Sequence, residues 1–121
     1  MGLISSNNGD YNFKTVDEAL ETVRALLPDK NDIWISLDDK YPCLVVWIAG
    51  DHAALNYYQD EAGEMWLSYN ADNHEEISFM AGGEEWRPDA TAVVTADDAY
   101  ACISSFIETN SRPDCIKWQE L

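Results

Sequence analysis

The sequence contains few basic residues. Its 121 residues include 7 Lys and Arg against 23 Asp and Glu, which gives a formal net charge of −16 at pH 7. Binding to a nucleic-acid backbone or to an anionic membrane surface requires positive charge, so the composition argues against both. An acidic surface does suit a basic protein partner, whose association it would accelerate. It is equally typical of a protein that is kept soluble by its charge.

The sequence also lacks long apolar runs and paired cysteine motifs. No segment approaches the roughly 20 apolar residues of a membrane-spanning helix, and the opening MGLISSNNGDYNF does not follow the pattern of a signal peptide. The three cysteines form no CxxC and leave one thiol over in any disulfide scheme. We therefore expect a cytoplasmic protein in a reducing compartment, with a single domain over residues 1–121.

Recognisable catalytic and cofactor motifs are missing as well. The two histidines, His52 and His74, have no Ser, Cys or Asp at a spacing that predicts a catalytic triad. The HEE of residues 74–76 matches half of a zinc deaminase signature, but the following P-C-x-x-C is absent. The two glycines of AGGEE precede two acids, which would repel a phosphate. We predict a protein with no catalytic residues, metal or cofactor, and keep a small metal-dependent hydrolase as an alternative.

The residues that are present predict a packed domain with two helices, because 46% are hydrophobic and 12% are aromatic. The first helix is predicted to begin at the capping box TVDE of residues 15–18, to continue through Leu27 and to stop at Pro28. The second is predicted to begin at TADD, residues 95–98, with acids at its positive end. Its buried face is predicted to contain Tyr100, Ile103, Phe106 and Ile107.

Short strands are predicted between and after the helices. The candidate segments are rich in Ile, Val, Trp, Tyr and Phe and are separated by Asp, Gly, Pro and Asn. They are DIWISLDD, CLVVWIAG, AALNYYQD, EMWLSYN, EISFMAG, TAVVT and CIKWQEL. CLVVWIA is almost continuously apolar, which favours a central strand covered on both faces. We predict an α+β domain, a mainly antiparallel sheet of about six or seven short strands with two helices on one face.

The acidic residues are unevenly distributed along the chain. Between Tyr41 and Trp86 there is no Lys or Arg, whereas this part of the sequence contains nine acids. A surface field of one sign has an electrostatic cost, since like charges repel each other. Large aromatic residues lie among these acids and could supply apolar contact area to a partner. Because alternate aromatic residues of strands usually belong to the core, burial is the competing interpretation for each of them.

These observations predict a partner-binding surface. Trp86 is its best candidate for an exposed aromatic residue, because the segment GGEEWRPD is predicted to lie outside the strands. The predicted contact residues are Asp60, Glu61, Trp66, Tyr69, Asp72, Glu75, Glu76, Glu84, Glu85 and Trp86.

The C-terminal sequence resembles a known family. A helix that ends in TNSRP, followed by a strand of the form x-x-x-W-x-E-L, is similar to the C-terminus of immunity protein family 1. The specific residues are Arg112, Pro113 and Trp118, together with the pair Trp66 and Ser68. Members of this family neutralise deaminase-type toxins used in competition between bacteria. The order of the predicted elements agrees over most of the chain.

The resemblance implies a single-domain cytoplasmic inhibitor that has no catalysis of its own. It would bind one cognate toxin domain and cover its active site, and a basic substrate groove in the toxin would match the acidic surface. A nuclease toxin would select the same surface and is the main alternative. In the closing segment we expect Pro113 to stop the helix, Arg112 to bond the last helical carbonyls and Trp118 to hold the final strand by burial.

Overall fold

The protein is built from short strands and two helices. The structure is a computed structural model that describes residues 2–6, 9–26, 32–37, 39–60, 64–81 and 84–120. The strands in these ranges are β1 (Gly2–Ser6), β2 (Gly9–Phe13), β3 (Ile33–Ser36), β4 (Cys43–Ala49), β5 (His52–Tyr58), β6 (Met65–Tyr69), β7 (Phe79–Ala81), β8 (Glu84–Trp86), β9 (Val94–Thr95) and β10 (Lys117–Glu120). The helices are α1 (Val16–Leu26) and α2 (Ala96–Thr109), and a short 3-10 turn is formed by Ala90–Ala92.

Eight of these strands form one antiparallel sheet. Its order is β10-β6-β5-β4-β3-β1-β2, and β9 pairs with the first residues of β5. The strands β3, β4, β5 and β6 are sequential neighbours, as expected for a meander of hairpins. The remaining strands, β7 and β8, pair with each other in a separate small hairpin. The predicted α+β architecture is confirmed.

Both helices cover the same face of the sheet. Strand residues alternate between the two faces, so one set from each strand meets the buried stripes of α1 and α2. This core includes Ile4, Phe13, Ala19, Val23, Ile33, Ile35, Leu44, Val46, Leu55, Tyr57, Ile103, Phe106 and Ile107. Complete burial of one large apolar side chain stabilises a fold by about 1.5–3 kcal/mol, so this cluster is the main source of stability.

The hairpin of β7 and β8 covers part of the opposite face. It places Phe79 and Trp86 in a second apolar cluster, in which Trp86 contacts Trp47 of β4. The other buried members of that cluster are Val45, Ala54 and Val93. Strand β4 is therefore buried on both faces from Cys43 to Ile48, as its apolar sequence predicts.

Local hydrogen bonds explain where the helices begin. At α1, the Thr15 hydroxyl accepts from the Glu18 N–H at 3.1 Å, while the Glu18 carboxylate accepts from the N–H of Lys14. At α2, Thr95 and Asp98 form a reciprocal capping box. Each arrangement satisfies backbone donors that the first turn of a helix leaves open. Both predicted start sites are thus confirmed.

Two segments differ from the sequence prediction. The opening segment, in which no strand was predicted, forms the hairpin β1 and β2, and β1 continues the main sheet beside β3. Only Phe13 of β2 is buried, so the alternation that signals a strand is hardly visible in GDYNF. The segment GGEEWRPD was expected to lie outside the strands, but residues 84–86 form β8. The predicted end of the first helix at Leu27 and Pro28 lies outside the described residues.

Strand β5 changes its partner along its length. Its second half pairs with β6 at Asn56–Tyr58, whereas its first half pairs with β9 at His52 and Ala53. Between the two, the N–H of Leu55 donates to the hydroxyl of Ser68, at 3.0 Å. The same hydroxyl donates to the carbonyl of Ala92 at 2.6 Å. Ser68 is completely buried and joins the three segments where the sheet divides.

Candidate partner-binding surface

Five of the predicted acids lie on the β7–β8 hairpin and on the loop that leads into it. Asp72, Glu75 and Glu76 belong to the loop between β6 and β7, and Glu84 and Glu85 begin β8. All five are exposed. We call these five residues the acidic hairpin surface.

Side-chain amides hold the loop of this surface in place. The Asn70 side-chain oxygen accepts from the N–H of Asp72 at 3.2 Å. The Asn73 amide nitrogen donates to the carbonyls of Glu75 and Ala90, at 2.9 Å and 2.7 Å. The bond to Ala90 fastens the loop to the 3-10 turn before β9, so the acids lie on an ordered segment. An ordered segment loses less conformational entropy when it binds a partner.

Few cations neutralise the acidic hairpin surface. Arg87 lies 3.4 Å from the Glu85 carboxylate and also donates to the Ser78 hydroxyl at 3.1 Å. For the other four acids, the described part of the chain supplies no salt-bridge partner. The Arg87–Glu85 pair is exposed on both sides, and exposed pairs of this type contribute little to stability. Most of the negative charge is therefore available to cations of another molecule.

The two acids predicted at the turn after β5 lie elsewhere. Asp60 is partly buried two residues beyond β5, so the length of β6 separates it from the loop of the acidic hairpin surface. Glu61 lies outside the described residues. The N–H of Gln59 donates to the carbonyl of Glu64 at 3.0 Å, which closes this turn.

Trp66 is a packing residue as well as a predicted contact. Its ring faces the helix-side core, with its centroid 5.7 Å from that of Tyr57. The guanidinium of Arg112 lies over the ring, 4.9 Å from its centroid, which is within range for a cation–π interaction. Tyr69 lies near the same edge and lines a shallow hollow together with Trp66, Arg112 and Trp118.

Trp86 is less exposed than the sequence suggested. It is partly buried, with its ring centroid 4.7 Å from that of Trp47 and 6.1 Å from that of Phe79. Trp86, the best candidate for an exposed aromatic residue, is therefore only partly exposed. The strand EEW has only three residues, and a pattern this short cannot be recognised in the sequence. The packing of Trp86 on Trp47 is a contact between residues distant in sequence, which local patterns do not reveal.

The most exposed large aromatic residue of the described chain is Trp34, which was not among the predicted contacts. It is 41% exposed and stacks on Tyr58, with 5.7 Å between ring centroids and 10° between ring planes. Burial raises the pKa of the Tyr58 hydroxyl above its ordinary value. The sequence IWIS could have indicated that Trp34 lies on the face away from the helices. Ile33 and Ile35 alternate with Trp34 and occupy the helix side of the sheet.

Residues 110–118, which we call the closing motif, connect the end of α2 to the edge of the sheet. Helix α2 is capped by Asn110, whose φ of 51° is left-handed, and the Asn110 N–H donates to the carbonyl of Phe106. Pro113 is buried, and its carbonyl accepts from the Trp118 indole N–H at 2.7 Å. Arg112 stacks on Trp66, and the structure shows no bond from its side chain to the helical carbonyls that we expected it to contact.

The histidines lie apart from each other. His52 pairs with Thr95 at the start of β5, and His74 is exposed in the loop before β7. Among the described residues, no group of three or more His, Cys, Asp and Glu side chains could hold a metal ion. In the same residues, no helix is long and apolar enough to cross a membrane.

The fold and the surface together define the class of this protein. It is an α+β domain that presents an ordered acidic surface and an exposed aromatic stack, features typical of a protein that binds another protein. The chain matches the model of the immunity protein Imm1 family over residues 14–120 and belongs to that family. The resemblance inferred from the closing motif is confirmed, and the chain has the immunity role of its family, with a cognate toxin as partner. A search of the curated proteins finds no match.

Proposed function

We propose that this immunity protein inhibits a nucleic-acid cytidine deaminase toxin. It binds the toxin domain one-to-one in the cytoplasm and covers the active site and the basic groove that holds the substrate. The acidic hairpin surface supports a basic groove as the target, and the resemblance to a family that neutralises deaminase-type toxins supports a deaminase as the toxin that carries this groove. In the proposed complex the carboxylates of this surface bind the basic residues that would otherwise bind the phosphates of the substrate.

Electrostatics supports this binding mode. A toxin that acts on nucleic acid needs Lys and Arg residues along its substrate groove. The acidic hairpin surface offers carboxylates of which only that of Glu85 has a salt-bridge partner in the described chain. Opposite charges on two proteins accelerate their encounter and favour one relative orientation. Occupation of the groove would exclude the substrate without any chemical step by the inhibitor.

Exposed aromatic side chains supply the apolar contact area that charged residues do not provide. Binding energy at protein interfaces is concentrated in a few large side chains, with Trp, Tyr and Arg enriched among them. Trp34 and Tyr58 stack on the sheet face opposite the helices. We include both in the proposed contact surface, together with the predicted residues from Asp60 to Trp86. Trp66 and Trp86 are assigned a supporting role, because both are partly buried against the core.

A nuclease toxin is the second candidate target. The same acidic surface favours it, because a nuclease also binds its substrate through a basic groove. The two candidates differ in the chemistry of the toxin and not in the demands on the inhibitor. The identity of the partner therefore decides between them.

The first experiment identifies the partner and its activity. The tagged protein is used to retrieve its partner from a lysate of the producing cell, and the partner is identified by mass spectrometry. The purified partner is then assayed for cytidine deamination of single- and double-stranded DNA, and for DNA and RNA cleavage, with increasing amounts of this protein. We expect deamination that is abolished at one equivalent of inhibitor.

The outcomes separate the proposals. Cleavage that is inhibited at one equivalent would move the target from a deaminase to a nuclease. A retrieved partner whose activity persists when it is saturated with this protein would contradict inhibition by covering the active site. A family member without the acidic hairpin surface, tested at the same concentration, is the control for nonspecific inhibition by an acidic protein.

A further inference from the structure

Two of the three cysteines are in contact. Cys102 lies in α2 and has no exposed surface. Its sulfur is 3.0 Å from the sulfur of Cys115, an exposed residue between Pro113 and β10. Thirteen positions separate the two residues, so the contact connects the helix to the segment that follows it. The third thiol, Cys43, is buried in β4 on the sheet face that points away from the helices. Its neighbour Leu44 belongs to the helix-side core, and successive side chains of a strand point to opposite faces.

We infer that Cys102 and Cys115 are a thiol-oxidation site, at which a reversible intramolecular disulfide forms. The sulfurs of a disulfide are about 2.05 Å apart, so the two atoms need to approach by about 1 Å. Cys115 belongs to a turn and not to a strand, which allows this adjustment without breaking a ladder of hydrogen bonds. Cys43 does not compete, because the sheet lies between it and the pair.

The oxidant we propose is a low-molecular-weight disulfide, RSSR. The exposed Cys115 thiolate attacks one sulfur of RSSR, the S–S bond breaks and a thiolate RS⁻ leaves, which produces a mixed disulfide on Cys115. The Cys102 sulfur then loses its proton and attacks the Cys115 sulfur, and the second RS⁻ leaves. The two protons of the cysteines are taken up by the two RS⁻ groups, so one RSSR is reduced to two RSH while the protein loses two electrons.

The environments of the two thiols assign their roles. Burial, together with contact with Cys115, raises the pKa of the Cys102 thiol above its ordinary value, so this thiol stays protonated in the reduced protein. Cys115 is exposed and lines an open hollow with Asp72 and Tyr69, where a small oxidant can approach it. Cys115 is therefore the residue that meets the oxidant, and Cys102 is the one that resolves the mixed disulfide.

The bond would fix the closing motif to α2. It closes a covalent loop that contains the end of the helix, Arg112 and Pro113, and so restricts the segment that carries Arg112 to Trp66. Crosslinks stabilise mainly by restricting the unfolded chain. For a loop of this length in a domain of this size, we expect oxidation to raise the thermal midpoint by about 10 °C.

The test uses the purified full chain and oxidised glutathione. The protein is incubated with increasing ratios of oxidised to reduced glutathione, quenched with acid, and examined by intact mass and by peptide mapping without reduction. We expect the loss of two hydrogen atoms, one peptide pair joined through Cys102 and Cys115, and a higher thermal midpoint that returns to its original value on reduction. Three free thiols at every ratio, a pair that includes Cys43, or a stable glutathione adduct would each overturn the inference.

Three single variants keep the test informative. Cys102→Ala should trap glutathione on Cys115, because the resolving thiol is missing, and Cys115→Ser should leave Cys102 unmodified. Cys43→Ser should form the same crosslink as the wild type. If Cys102→Ala fails to fold, Cys115→Ser still decides, because a crosslink or glutathione adduct in that variant would contradict the assigned order.

Discussion

At the scale of single residues, Ser68 occupies a buried position that requires a hydroxyl able to accept one hydrogen bond and donate another. Its hydroxyl accepts from Leu55 and donates to Ala92, and all three residues are buried. It therefore completes the hydrogen bonding at the point where β5 changes its partner. Ser68 is also one of the residues on which the resemblance to the family was based, and this bridging position gives it a structural role.

Replacement of Ser68 should destabilise the protein. In Ser68→Ala, a buried N–H and a buried carbonyl lose their partner, and we expect a loss of about 2–4 kcal/mol in the free energy of unfolding. Urea denaturation followed by tryptophan fluorescence measures this change. Ser78→Ala is the matched control, because among the described residues its hydroxyl bonds with Arg87 alone, near the surface. Equal effects of the two substitutions would contradict the bridging role of Ser68.

Trp34 should contribute to binding much more than to stability. In Trp34→Ala we expect Kd for the cognate toxin to rise about 30-fold or more, since an exposed tryptophan stacked on Tyr58 resembles an interface hot spot. The unfolding free energy should change by less than about 1 kcal/mol, because the residue is 41% exposed. Isothermal titration calorimetry gives Kd.

The control for Trp34 is another exposed aromatic residue. Tyr11 is 39% exposed and lies on the edge strand β2, so Tyr11→Ala removes a comparable surface away from the stack. We expect the affinity of this variant to equal that of the wild type. If Trp34→Ala also bound normally, Trp34 would lie outside the interface, while the immunity role would be unaffected.

At the scale of secondary-structure elements, the helices depend strongly on their first turns. In α2, Thr95 and Asp98 satisfy each other's backbone N–H groups. We expect Thr95→Ala to lower the free energy of unfolding by about 1 kcal/mol, because one of these donors loses its acceptor. Urea denaturation measures the difference. Thr109→Ala, at the other end of α2, removes an exposed hydroxyl that donates to the Ser105 carbonyl and accepts from Ser111, and should change stability by less than half as much.

The same elements show what the sequence reveals about the fold. Capping residues and a period of 3.6 are local patterns, so both helix starts could be predicted, and the apolar run of β4 could be assigned to the centre of the sheet. The hairpin of β1 and β2 could not, because GDYNF has one buried residue and gains its strand conformation from pairing with β1. Strand β8 has only three residues and depends on its pairing with β7.

The candidate site could be predicted only in part. The exposure of Asp72, Glu75 and Glu84 follows from their charge, which makes burial costly. The positions of Trp34 and Trp86 do not follow from their residue type, since one tryptophan is exposed and the other packs against Trp47. That difference depends on which part of the sheet face the β7–β8 hairpin covers, and this contact is not encoded in any local pattern.

At the scale of the whole molecule, charge controls how the protein meets a partner. With a net charge of −16, the molecule attracts a cationic surface from a distance, and salt screens that attraction over a Debye length of about 8–10 Å. Two copies of this chain repel each other for the same reason. The expected effect of salt is therefore on the association rate more than on the dissociation rate.

Reversal of two charges tests this directly. We expect Glu84→Lys combined with Glu85→Lys to lower the association rate constant for the cognate toxin several-fold at low ionic strength, and the difference from wild type to shrink in high salt. Stopped-flow fluorescence measures the rates. Glu21→Lys combined with Glu108→Lys makes the same change in net charge on the two helices, at exposed positions on the other side of the sheet.

The comparison between the two double variants locates the effect. If association is slower only in the Glu84 and Glu85 variant, the acidic hairpin surface is the source of the electrostatic acceleration. Equal slowing in both variants would assign it to net charge, and unchanged rates in both would show that the electrostatic mechanism is wrong even though the complex still forms.

The position of β10 at one edge of the sheet has a consequence for biosynthesis. Strand β10 pairs with β6, and the Gln119 amide donates to the carbonyl of Ser68, 51 positions earlier in the chain. A ribosome makes residues 66–69 well before residues 117–120. The backbone hydrogen-bonding groups of β6 that pair with β10 therefore stay unpaired while α2 is translated. The sheet is completed only when the closing motif emerges from the ribosome, and the newly made inhibitor becomes fully structured after that moment and not before it.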